Sequence, residues 1–340
     1  MPGLRKKVLV VCFVAGLLPV GGCALPPVRS DFFPRDETIL PASAQLIFSD
    51  AIYGAEKLNG KTESTKENPA AEDAPEHIRD NGFLVEEAVN QEAGVVQHIF
   101  NWIHLWGSSP AGRTRDFAFS YTMELPLGSQ KHQFSFTTQF LTTFESPDSQ
   151  RGDVGDTFLN YRYQLLANDA FLWCAPRATL ILPTGDKRLG LGTGELGYQF
   201  NLPISKYGEQ FDGHFNAGAT YIPGVSMPLA AGFVSPEFDL RGVNLGASVY
   251  WKPRTFLHFF VETLALWNEK IDEFGFRDHT TLLFVNPGVR WAIRQFDDVE
   301  WVVGVSAPIG LTRDTPDIGV FAYMSIEYAF RKIPKNGAEK

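Results

Sequence analysis

Between about residue 91 and residue 330 the chain alternates apolar and polar positions in short runs. In ELGYQFNLPIS, the side chains of Leu196, Tyr198, Phe200, Leu202 and Ile204 fall on one face of an extended strand, and those of Glu195, Gly197, Gln199 and Asn201 on the other. Phe117, Phe119, Tyr121, Met123 and Leu125 stand in the same way against Ser120, Thr122 and Glu124. Val243, Leu245, Ala247, Val249 and Trp251 stand against Asn244, Gly246 and Ser248, and the run from Ile318 to Phe330 against Ser325 and Glu327. Such runs predict about twelve strands. The first, GVVQHIFNWIHLW, is the least regular, and alternation does not tell its two faces apart.

A two-faced strand fits a soluble sandwich with its apolar face inward, or a membrane barrel with that face outward. The connections separate the two. Short links (PLGSQK, ANDA, SKYGEQ, KPRT, RQFDD) alternate with longer ones (ESPDSQRGDVGD, PTGDKRLGLGTG, PGVSMPLAAGFVSP, NEKIDEFGFRDH, PIGLTRDTPD). Short periplasmic turns and longer external loops are the mark of an outer-membrane barrel, whereas Greek-key crossovers give no reason for the alternation. The predicted fold is all-β: a transmembrane antiparallel β-barrel of about twelve strands over residues 91–330, in the bacterial outer membrane, with a polar N-terminal extension. Trp251, Trp267, Trp291, Trp301 and Tyr328 near strand ends suit interfacial girdles.

The opposite face carries charge. Glu124, Arg162, Arg177, Glu262, Arg290, Glu300 and Glu327 stand at polar positions within strands, costly against lipid and suited to a wet lumen. They are the predicted pore-lining residues. Arg162 and Arg177, at similar heights on neighbouring strands, are expected to be diagonal neighbours and to need a countercharge or an anionic ligand. Glu300 and Glu327 form an acidic wall across the ring, with Arg290 one strand away. Bridging of the two walls closes the lumen; otherwise they hold a transverse field across it.

Arg5, Lys6 and Lys7 precede the apolar run VLVVCFVAGLLPV, the length of a signal-peptide core and too short to span a bilayer. PVGGCALPP admits two processings of the signal peptide, residues 1–23. One is a lipobox ending at Cys23, which is then lipidated; the other is an ordinary small-residue cleavage around Gly22 and Ala24. Residues 24–90 are a periplasmic segment, partly disordered or contributing a plug. Within them the polar stretch 53–82 reads as a flexible linker, too poor in apolar groups to offset the entropy of ordering. Residues 331–340 form a periplasmic tail.

The acidic net charge of −9 argues against nucleic acid as a partner, and the 3 cysteines, one of them in the signal core, supply no disulfide framework or cysteine metal site. No cofactor or metal is expected. The partners are the lipid bilayer, small-molecule solutes and the barrel assembly machinery. Gly192, Gly194 and Gly197 match the spacing of a dinucleotide loop, but a strand follows where that motif needs a helix. The chain has no His-x-Ser pair of the kind used by barrel phospholipases, and His132 and Ser135 point to opposite faces of a strand.

FLVEEAVNQEAGVVQHI ahead of the first strand, GDVGDTFLNYRYQLL, LILPTGDKRLGLGTGELGYQFNLPISK and HFNAGATYIPG together resemble the outer-membrane proteins named for the MetA pathway of phenol degradation, over roughly residues 83–330. The resemblance implies a transporter-like barrel for small, often aromatic compounds and brings no catalytic residues. The expected function is therefore passive passage or binding of small, aromatic or hydrophobic compounds, without enzymatic activity. The alternatives are a closed structural or assembly barrel, and a barrel hydrolase with its triad assembled from separate strands.

Overall fold

The computed structural model describes residues 78–330, apart from 110–111, 147–148, 168–170, 230–231 and 297–298. The signal region with Cys23, residues 24–77 and the tail 331–340 lie outside the described residues.

Twelve strands form one antiparallel sheet closed on itself. They are β1 (Val95–Ser109), β2 (Gly112–Leu127), β3 (Ser129–Ser146), β4 (Ser149–Val154 continued by Thr157–Tyr163), β5 (Trp173–Cys174 continued by Arg177–Leu182), β6 (Gly197–Lys206), β7 (Phe211–Val225), β8 (Phe238–Arg254), β9 (Leu257–Ile271), β10 (Arg277–Phe296), β11 (Val299–Ser306 continued by Ile309–Gly310) and β12 (Ile318–Ala329). Each pairs with the next, and β12 returns to β1 in unbroken register from Val95↔Ala329 to Trp106↔Ile318. Closure matters because an unpaired backbone group in hydrocarbon costs several kcal/mol, and a closed ladder leaves no edge.

The alternation of the sequence is the alternation of the wall. Tyr198 and Phe200 of β6 point outward, 48% and 51% exposed, while the alternate positions Gln199 and Asn201 are buried in the lumen. On β8 the outward Val243, Leu245, Val249 and Trp251 alternate with inward Asn244, Ser248 and Tyr250. The faces of β1 are now distinct. Gln97, Ile99, Asn101, Ile103 and Leu105 point inward, and His98, Phe100, Trp102, His104 and Trp106 outward. Its sequence hid this because two of the outward positions are histidines and three of the inward ones are aliphatic. The His98 ring stacks between Tyr121 and Tyr328 and hydrogen-bonds both hydroxyls (2.7 and 3.2 Å), which satisfies its nitrogens on the outer face.

Two of the longer links are shorter than the sequence suggests. ESPDSQRGDVGD is mostly strand, β3 running on to Ser146 and β4 starting at Ser149, and NEKIDEFGFRDH shrinks to 272–276 between β9 and β10. Beyond the membrane both strand faces meet water, so strands continue there without an apolar face to betray them.

Candidate functional site

Ahead of β1 the chain runs into the lumen and back out. Ile78 N–H donates to Thr255 O, in the β8–β9 turn at the end of the barrel that carries the short turns (3.2 Å). The segment bends at 83–85 and leaves beside β3 and β1 through Asn90 and Gln91. Gly82 permits the bend: a Cβ there would lie 1.9 Å from Val85 O. Residues 78–82 belong to the polar stretch read from composition as a flexible linker. The structure holds them inside the wall, because their polar groups find partners there.

The backbone of this segment is satisfied largely by wall side chains, as any buried backbone must be. Glu262 accepts the N–H groups of both Phe83 (2.9 Å) and Leu84 (2.7 Å), and also the Tyr250 hydroxyl and the Asn286 amide. Asn216 accepts from Glu86 N–H (2.6 Å) and donates to Glu86 O (2.8 Å). Ser205 Oγ accepts from Ala88 N–H, Gln164 from Asn90 N–H and Gln133 from Gln91 N–H. Arg162 donates to Val89 O (2.8 Å) and Gln164 to Ala88 O (2.8 Å).

The acidic side chains of the segment meet the basic residues of the wall. Glu86 lies between Arg162 (3.2 Å) and Arg177 (2.6 Å), each arginine taking one carboxylate oxygen. Arg290 pairs with Glu87 (2.9 Å), donates to the carbonyls of Asp80 and Asn81, and sits 4.3 Å over the Tyr250 ring. Asp80 accepts from Gln97, Tyr323 and Ser325.

Arg162 and Arg177 are direct partners across β4 and β5, not diagonal ones. Glu300 and Glu327 are likewise direct partners across β11 and β12. The carboxylate that Arg162 and Arg177 share comes from Glu86 of the N-terminal segment. Glu327 accepts from the Gln91 amide (3.2 Å), and Glu124 from Gln133 (2.8 Å). Sequence reading missed Asp80, Glu86, Glu87, Asn216 and Ser205. The available signal was the acidic pair set into the apolar run FLVEEAV just before the first strand.

Ser205 and His214 also meet, Oγ to Nδ1 at 2.8 Å across the β6–β7 turn, with Glu87 3.9 Å from His214 Nε2. The serine is fully buried and its oxygen already accepts from Ala88, so the pair fixes the segment and faces no solvent. Among the described residues no group of three or more His, Cys, Asp or Glu is placed to hold a metal ion.

Beyond the bend the lumen turns apolar. Ile103, Leu105, Ala118, Leu141, Leu264 and Leu282 form one buried cluster with Phe83, Leu84 and Val85 of the segment. The external loop 183–196 adds Leu191, fully buried in the same cluster. Asp156, in the break of β4, holds that loop by accepting from Gly185 N–H (3.0 Å) and Thr193 N–H (3.3 Å). On the loop itself Asp186 takes the Arg188 guanidinium and N–H, which keeps its carboxyl below the usual range. Gly192 and Gly194 belong to this loop, and Gly197 opens β6.

The wall, its outward apolar band and the polar lumen decide the class. The chain is an outer-membrane β-barrel. Its fold is similar to that of an outer membrane channel from Pseudomonas putida F1, with a TM-score of 0.55 and 12% identity over 71% of this chain and 97% of that one. Weaker likenesses are the translocator domain of the autotransporter NalP from Neisseria meningitidis (TM-score 0.45, 9% identity, 69% of this chain and 88% of that one) and the CymD monoaromatic hydrocarbon channel (TM-score 0.36, 9% identity, 71% and 89%). No protein-family model and no curated protein matches the chain.

Proposed function

We propose that this barrel is a gated channel for small, largely apolar solutes, and that the segment 78–91 is its gate. One observation carries the reading: the wall closes through β1 and β12 without the segment, which is attached to it mainly by side-chain hydrogen bonds and ion pairs, with a backbone bond from Ile78 and an isolated bridge at Ala88 but no strand ladder. A part that the barrel does not need for closure, held by contacts that water can replace, is suited to leave.

The polar lining of the closed lumen supports movement. Asn101 Oδ1, Ser120 Oγ and both amide atoms of Gln139 form a row on β1–β3, buried with no hydrogen-bond partner among the described residues. This polar row is a surface that water in an open lumen would hydrate. The aliphatic lining outside the bend favours apolar solutes, in keeping with the sequence resemblance to MetA-pathway outer-membrane proteins. The rival reading, a permanently closed structural barrel, draws on the near-complete burial of those same lining residues.

Conductance in planar bilayers separates the two. Wild-type protein is expected to be closed most of the time with brief openings, and Glu86→Ala/Glu87→Ala to conduct steadily. A double variant that folds, shows heat-modifiable migration and never conducts would favour the structural barrel.

A further inference from the structure

The gate also describes what it displaces. Glu86 lies in a site built for a carboxylate: Arg177 faces one oxygen at 2.6 Å and Arg162 the other at 3.2 Å, with all three side chains at least 97% buried. Two guanidiniums converging on one carboxylate, Arg162 hydrogen-bonded and Arg177 in ion-pair contact, give the charge of an anion site. Neither arginine has moved to meet the segment from a distant loop. They are direct cross-strand partners, and Arg177 is braced by Asn160 Oδ1 and by the Thr179 hydroxyl. Held side by side on strands, the two like charges share the Glu86 carboxylate, and Glu124 of β2 also lies within electrostatic reach of Arg162.

Next to Glu86 the segment is apolar. Phe83, Leu84 and Val85 precede Glu86 and join the aliphatic lining, and the Phe83 ring rests among Phe260, Phe321 and Tyr323 with centroids 4.6 to 5.2 Å apart. Gly304 clears the seat of that ring, for a Cβ there would lie 2.6 Å from Phe83 Cζ. The lumen thus offers a carboxylate site on β4 and β5, an aliphatic lining, and on β9, β11 and β12 a separate seat for an aromatic ring.

We infer that Arg162 and Arg177 form a binding site for small apolar carboxylates, and that Glu86 occupies it as an internal competitor. This rests on the channel reading in one respect: the segment must be able to vacate the site. A tethered carboxylate competes at an effective concentration in the millimolar range, so the apparent affinity for a free acid is reduced by the fraction of time Glu86 is bound. Removing Glu86 should therefore raise affinity, and removing the arginines should abolish it.

The test is calorimetric titration of the detergent-solubilised full chain with benzoate, and in parallel with benzyl alcohol, which keeps the ring and lacks the charge. Glu86→Ala is expected to bind benzoate at least tenfold more tightly than wild type, and Glu86→Ala/Arg162→Ala/Arg177→Ala to lose that gain, while benzyl alcohol distinguishes none of the three. Heat-modifiable gel migration checks folding, and Glu86→Gln replaces Glu86→Ala if the latter does not fold. Equal benzoate affinities across the series, or the same differences with benzyl alcohol, would overturn the inference. Conductance of the same samples is read separately. Conducting variants without benzoate preference refute the carboxylate site alone, and benzoate binding without any conductance refutes the channel while leaving the site.

Discussion

Arg290 of β10 and Glu87 of the lumen segment meet at 2.9 Å with both side chains at most 1% exposed. A buried pair of this kind contributes little over an apolar pair of equal volume, but removing one partner strands the other charge, at a cost of about 3–5 kcal/mol. Arg290→Ala and Glu87→Ala should each lower stability by about that amount in urea unfolding followed by tryptophan fluorescence. The double variant should cost clearly less than the sum. Additivity would mean that the two charges are balanced by other groups.

The bend at Gly82 offers a way to dislodge the gate without touching a charge. Its Cβ would strike Val85 O at 1.9 Å, whereas a Cβ at Gly246 would only crowd Val85 Cγ2 at 3.1 Å. Gly82→Ala is expected to cost the seated segment about 1–3 kcal/mol and Gly246→Ala less. Protease cleavage within 78–91 and conductance should rise in that order, with heat-modifiable migration intact in both.

Tethering should reverse the effect. Ala88 N–H donates to Ser205 Oγ at 2.8 Å, so the two residues are neighbours, and a cysteine pair at 88 and 205 is the tether to try. In a Glu86→Ala, Cys174→Ser background, oxidation of Ala88→Cys/Ser205→Cys is expected to silence the conductance and dithiothreitol to restore it. Conductance indifferent to the disulfide would mean that solutes pass elsewhere.

At the outer end, Asp156 accepts two N–H groups of the loop that buries Leu191. Asp156→Ala leaves both donors unpaired, Thr193 N–H buried and Gly185 N–H partly buried, a loss of about 1–3 kcal/mol for the buried one. Hydrogen exchange at Gly185 and Thr193 should accelerate by at least tenfold while β6 and β7 amides are unchanged. Equal acceleration in the strands would show that the residue supports the wall and not the loop.

The wall was legible in the sequence because a lipid-facing barrel needs one apolar side chain at every second position, and Tyr198, Phe200, Val243 and Trp251 obey that rule. Arg162 and Arg177 were legible as an unbalanced pair for the same reason. Their partner was not. Glu86 meets them by its side chain but lies outside the alternating strands, and the wall groups that hold its neighbours bind backbone N–H groups, contacts that leave no mark on residue type. The apolar lining escaped too, since inward Leu264, Leu266 and Leu282 stand in strands whose outward positions are also apolar, and the alternation fades where both faces avoid water.

The position of the gate in the chain has a consequence for assembly. It lies immediately before β1, yet its main contacts are with β7, β9 and β10: Phe83 with Glu262 at a separation of 179 residues, Glu87 with Arg290 at 203 and Asp80 with Arg290 at 210. Each of these contacts requires the closure of a very long loop. Full docking of 78–91 therefore needs β9, β10 and, through Asp80 with Tyr323 and Ser325, β12 in place, so the segment seats on a wall that has already formed.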